Sequence, residues 1–222
     1  MTLFGDIKID KLRLLYKKGD VSYEDRLKVH NRLKKYYPDG TTSSKMGFIQ
    51  QTFTPTKLFD KNNPEIKHNL QMPSQDVFLD VLNSLTLKKP ALQEQIHTTL
   101  IHLTKDLILT KPVEEYISFL ANRTYSFLEV DLKYSNDTPS LYLHYNLDPE
   151  SDESCKFIIK FYDKVKEYYK RHGHYHCKLH EPLRPDEIAL VGDAYDKENN
   201  ILDLEYLNIL RIESEYQIGR AH

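Results

Sequence analysis

The segment Phe157-Ile158-Ile159-Lys160-Phe161-Tyr162-Asp163-Lys164-Val165-Lys166-Glu167-Tyr168-Tyr169 changes its period partway along. At first it alternates: Phe157, Ile159 and Phe161 fall on one side, and Ile158, Lys160 and Tyr162 on the other, as in a strand. From Tyr162 the spacing turns helical, with Tyr162, Val165 and Tyr169 in register and lysines between them. Tyr162 thus stands where a strand hands over to a helix, with Lys160 and Lys164 on either side. A phenol so placed is held from below and can still present its hydroxyl outward. Two flanking ammonium groups can hold a phosphate near it. On composition alone, Tyr162 can equally be a packed or edge tyrosine.

The 222 residues are 40% hydrophobic and 29% charged, which is the composition of a globular chain with a real core. The net charge of -2 excludes a uniformly basic nucleic-acid glove, so any DNA-binding surface must be a local patch. No apolar run reaches membrane-spanning length, and no apolar signal segment opens the chain. The two cysteines, Cys155 and Cys177, lack metal-ligand spacing, and a reduced, cytoplasmic setting is expected. Seven glycines supply neither a phosphate-cradling loop nor a dinucleotide fingerprint. The His-Glu-x-x-His zinc motif and the nucleophile elbow are missing as well.

Outward from the central segment, the pattern predicts an α+β fold with a mostly antiparallel sheet and helices on one face. Residues 7–16 read as a strand with Ile7, Ile9, Leu12 and Leu14 on its apolar side. Ser22, with Asp25 three residues on, starts a helix striped by Tyr23, Leu27, His30, Leu33 and Tyr37. The rest of that helix is basic, either a solvated face or a phosphate contact. Residues 38–44 read as a polar loop and 46–53 as a strand. Pro73-Ser74 open a helix with Val77, Phe78, Val81, Leu82 and Leu85 inward. Pro90 opens another, striped by Leu92, Ile96, Leu100, Leu103 and Leu107, and a shorter helical piece runs to about Asn122. The region 90–122 is therefore expected to be a helical insertion. Strands are expected over 125–134, 140–146 and 210–216, with 171–187 a polar connection and 201–206 helical.

Four blocks, in this order, resemble those of the replication initiators of filamentous phages and related plasmids. The first is Thr54-Pro55-Thr56-Lys57-Leu58-Phe59 with Asn62-Asn63. The second is Leu128-Glu129-Val130-Asp131, with Glu129 where the family commonly has arginine. The third runs from Phe157 to Glu167 around Tyr162-Asp163-Lys164. The fourth is Asn208-Ile209-Leu210-Arg211-Ile212-Glu213. The resemblance implies a rolling-circle initiator that nicks one strand of origin DNA, with Tyr162 as nucleophile and a phosphotyrosine intermediate. Origin DNA is then the partner, and there is room for a host helicase. Residues 1–222 are expected to form a single nicking-and-joining domain, shorter at its C-terminal end than family members.

The chemistry asks for cations on the phosphate, a route to the phenolate, and a divalent ion, Mg²⁺ or Mn²⁺, to polarise the phosphorus. Lys160 and Lys164 are the candidate catalytic cations, and Arg211, Lys57 and Lys166 the candidate DNA contacts. Asp131, Glu129 and Glu213, on strands of one sheet, are the candidate metal ligands, with His144 as a further one. Asp131 and Glu213 can equally pair across strands with Lys133 or Arg211. The run His172 to His180 is either a surface loop or a second metal-binding stretch. Two other readings stay open: a DNA-binding replication or partition factor of this fold without chemistry, and a protein-interaction domain with no nucleic acid.

Overall fold

The computed structural model describes residues 7–17, 22–45, 47–58, 70–71, 75–85, 96–125, 128–135, 138–146 and 156–217. Its fold is α+β, built on antiparallel strands with helices packed against them. Two compact units emerge, one centred on Ile9–His102 and one on Leu103–Tyr216 together with Lys8. No helix among the described residues is long and apolar enough to cross a membrane.

The first unit contains β1 (Lys8–Lys17, from Ile9), α1 (Tyr23–Tyr36), β2 (Thr41–Lys45), β3 (Phe48–Phe53), a 3-10 turn at Pro55–Lys57 and α2 (Gln75–Leu85). It also takes the first half of β4 (Ile96–Leu109), giving the strand order β2-β3-β1-β4. Lys45 pairs with Phe48 across a tight hairpin in which Gly47 adopts φ 76°, a backbone state that suits glycine. β1 runs antiparallel to β3, from Leu12 opposite Phe53 to Lys17 opposite Phe48. The core joins Leu12, Leu14 and Tyr16 of β1 to Val29 and Leu33 of α1, Ile49 and Phe53 of β3, and Val81 and Leu85 of α2.

The second unit takes the rest of β4, then α3 (Val113–Ala121), β5 (Glu129–Ser135), β6 (Thr138–Asn146), β7 (Lys156–Asp163) and α4 (Lys164–His172). There follow β8 (His176–Lys178), α5 (Pro185–Val191), β9 (Tyr195–Asp196), β10 (Ile201–Asp203) and β11 (Asn208–Gln217, to Tyr216 in this unit). Its main sheet follows β4-β11-β7-β6-β5, and β8-β10-β9 form a second small sheet. Val113 and Ile117 of α3 bury against Leu141, Leu143 and Leu210, with Ile159, Phe161 and Ile212 around them. That apolar side is the alternate set foreseen for the central strand, so Lys160 and Tyr162 turn to the opposite side.

Several expectations fail, for identifiable reasons. The helix expected from Pro90 is strand β4 from Ile96 to Leu109, and only 113–121 of the expected helical insertion is helical; residues 90–95 lie outside those described. The well-buried positions of β4 are Leu100, His102, Thr104 and Asp106, a period-two set dominated by polar residues. Its leucines and isoleucines happen to recur at helical spacing, and that outweighed the strand-forming threonines. Residues 41–45 form β2 rather than loop, and 201–206 form β10 and a 3-10 turn rather than helix. Ile7, expected in the first strand, lies just before β1 and is exposed, while Lys8 is buried because it has a carboxylate to meet (below). In α1, Ser22 caps the helix and accepts from the Asp25 N–H at 3.1 Å, as foreseen. Its buried positions, however, are Asp25, Val29 and Leu33, while Tyr23 and Leu27 are exposed.

Candidate functional site

At the junction of β7 and α4 the sequence enforces a sharp change of direction. Asp163 caps α4, accepting the Lys166 N–H at 3.0 Å, and Gly173 closes the helix in the left-handed conformation at φ 75°. Tyr162 is the last outward-facing residue before the cap. Its phenol donates to Glu213 Oε2 at 3.3 Å. Lys160, two residues earlier on the same side, donates to Glu213 Oε1 at 3.3 Å and lies 3.7 Å from Glu215 Oε2. The ring is half-buried rather than sealed in the core. Across β6, Tyr142 stands opposite Lys160 and Ser140 opposite Tyr162. The third and fourth sequence blocks thus meet on neighbouring strands around one carboxylate.

Burial pulls the Lys160 ammonium towards release of its proton, but the Glu213 and Glu215 carboxylates outweigh it and raise its pKa above the ordinary lysine value. Lys160 therefore stays cationic at any physiological pH. A phenol and a fixed positive charge then both sit within hydrogen-bonding distance of one carboxylate, which is able to accept the phenol's proton.

Two predicted cations are placed differently. Lys164 is buried at the start of α4, where it bonds Glu167. Burial and the nearby Arg211 guanidinium lower its pKa to about 8, against the pull of Glu167. It cannot reach a phosphate on the outer surface. Arg211 is 0% exposed and grips Asp106 of β4 through Nε–Oδ1 and Nη2–Oδ2 bonds, both 2.6 Å. Lys8 completes the group at 2.7 Å from Asp106 Oδ2. Burial favours protonation of Asp106, yet Arg211 and Lys8 outweigh it and hold the carboxyl far below its ordinary pKa. Arg211 is therefore no DNA contact; it serves as a structural counter-ion. Sequence reasoning missed Asp106 because β4 was read as a helix. Its alternation with Thr104 was the available signal.

The four predicted metal ligands do not gather. Glu129 stands opposite His144 on β5 and β6, and Asp131 pairs with Lys133 at 3.0 Å. Glu213 lies three strand steps from Asp131 in the order β11-β7-β6-β5, roughly 14 Å at the usual strand spacing. One cation cannot bridge that gap. A pair that the sequence reading passed over lies in the first unit: Asp10 on β1 and His102 on β4 bring ligand atoms within 4.8 Å of each other.

Of the remaining candidates, Lys57 ends the 3-10 turn of the first unit, beside the buried Pro55 and Thr56. Phe59, Asn62 and Asn63 of the same block lie outside the described residues. Lys166 is exposed on α4 and bonds Glu114 of α3. The histidine run is part loop and part strand β8. The rings of His172 and His174 are 6.1 Å apart, and those of His174 and His176 6.5 Å, the latter stacked face to face. His176 lies 3.4 Å from Asp203. Among the described residues, no three ligand atoms of this run gather within 4.8 Å of one another, so it holds no formed metal site there. Cys177 is buried, and burial pushes its thiol up to about 12, which leaves an inert side chain. Set against known proteins, the chain matches no family model, no curated protein and no solved structure.

Proposed function

We propose that this protein is a rolling-circle DNA replication initiator of the phage and plasmid kind, working in the cytoplasm on origin DNA, and that Tyr162 is its nucleophile. The observation that carries the reading is the Tyr162–Glu213–Lys160 arrangement. In the step proposed, the Tyr162 oxygen attacks a backbone phosphorus while its proton passes to Glu213. A Tyr–O–P bond forms, the bond from phosphorus to one deoxyribose oxygen breaks, and that oxygen leaves and takes up a proton as a hydroxyl. The reverse step rejoins the strand, because the phosphotyrosine conserves the bond energy. Lys160 neutralises charge on the non-bridging oxygens.

A divalent ion, Mg²⁺ or Mn²⁺, belongs to the proposal. When bound it would polarise the phosphate. In the first unit, the Asp10–His102 pair, a hard oxygen and an imidazole nitrogen, is a pair of donors that Mn²⁺ accepts. A host helicase acting on the opened strand fits the same role.

The test is incubation with a labelled single-stranded origin oligonucleotide and Mn²⁺, followed by a denaturing gel and peptide mapping. A covalent adduct at Tyr162 supports the proposal. A DNA complex with steep salt dependence but no cleavage favours the binding-factor reading instead. Neither binding nor cleavage removes both.

A further inference from the structure

Among the described residues, the second unit's main sheet ends at β5, Glu129-Val130-Asp131-Leu132-Lys133-Tyr134-Ser135. Seven residues make a long edge strand, and such an edge offers a row of backbone donors and acceptors to another strand. Its inner neighbour β6 pairs all seven positions in unbroken antiparallel register, so the strand carries no bulge. On the side of β5 shared with Leu132, two large apolar side chains stand in solvent: Val130 is 42% exposed and Tyr134 68%. On the other side Asp131 and Lys133 alternate, both partly or fully exposed.

These residues are self-complementary about Leu132. If two copies of β5 are laid antiparallel with Leu132 opposite Leu132, Val130 meets Tyr134 twice and Asp131 meets Lys133 twice. Both apolar residues are then covered, and both charge pairs are opposite in sign. Shifting the register by two residues one way sets Asp131 against Asp131. Shifting it the other way sets Lys133 against Lys133. Of these three registers, only the Leu132-centred one is free of like-charge contacts, and it keeps the helix-covered side of both sheets on the same side.

We propose that two copies of this chain associate through β5, paired antiparallel about Leu132. The interface is isologous, each copy presenting the same strand to the other, and it joins the two sheets edge to edge. Lys133, which on an isolated edge repels a partner strand, here selects the partner that carries Asp131 in the matching place.

Sedimentation equilibrium on the full chain tests this. The wild type is expected to dimerise. Asp131→Lys and Lys133→Asp each convert two attractive pairs to repulsive ones and weaken the dimer roughly tenfold. The double swap D131K/K133D restores it, a rescue that loss of fold would not give. Register is read separately by cysteine crosslinking in a Cys155→Ser background. Opposed residues of an antiparallel pair have Cα atoms about 4.5–5.5 Å apart, within disulfide range. A mixture of Val130→Cys and Tyr134→Cys chains should crosslink under mild oxidation, and either chain alone should not. A wild type that stays monomeric at its highest soluble concentration overturns the proposal. So does a dimer that is indifferent to both charge reversals and does not crosslink in the mixture.

Discussion

Arg211 and Asp106 face each other in parallel, two nitrogens to two oxygens at 2.6 Å, with no solvent on either side. The arginine that the sequence offered as a hand for DNA is thus a buried strut. Removing the carboxylate leaves Arg211 and Lys8 as buried cations without their shared counter-charge. Asp106→Asn should cost about 3–5 kcal/mol of stability, measured by urea unfolding. Arg211→Lys should also destabilise, because an ammonium cannot reproduce the fork. A near-neutral Asp106→Asn would mean that the buried charges are satisfied some other way.

Tyr162→Phe removes one part-buried hydrogen bond to Glu213. Its effect on stability should be about 0.5–1.5 kcal/mol, while covalent capture of DNA should vanish. The two readouts separate a chemical role from a structural one. Residual adduct formation in the phenylalanine variant would assign the nucleophile elsewhere.

Glu213→Gln keeps the shape of the side chain and removes the proton acceptor. Nicking should fall by a factor of about 10² or more, the scale of general-base losses, with DNA binding retained or slightly strengthened. The same change takes away the carboxylate that holds Lys160 above its ordinary pKa. Lys160 should then titrate lower, readable by NMR of the labelled ammonium.

Lys164 supplies a pH signature. Its folded pKa of about 8 lies below the ordinary 10.5, so between these values the unfolded chain holds a proton that the folded chain has lost. Stability must therefore rise with pH across that window, since the burial cost of the charged form is present below pH 8 and fades above it. Thermal unfolding of wild type and Lys164→Met should show the wild type gaining on the variant between about pH 8 and 10.5. A constant difference would mean that Lys164 titrates normally.

The sequence was easiest to read where one side of a strand is apolar and the other polar. β7 could be read residue by residue, down to Ile159 and Phe161 inward and Lys160 and Tyr162 outward, and β11 likewise with Arg211 and Glu213 on one side. β4 could not, because Asp106 is paid for by Lys8 and Arg211 from distant parts of the chain, and no local window contains that compensation. The same logic separates the site's two halves. Glu213 beneath Tyr162 followed from matching strand patterns. The scatter of Glu129, Asp131 and His144 depended on strand order, which alternation does not encode.

Lys8 and Asp106 are 98 positions apart in the chain, and Asp106 and Arg211 another 105. A ribosome must therefore carry synthesis from Lys8 through Asp106 to Arg211 before this three-part electrostatic lock can close. Until then Asp106 is a carboxylate awaiting partners on a strand that cannot yet be buried. Assembly of the second unit should accordingly be late and slow. A fragment that starts after residue 8 would be missing one of the lock's three keys.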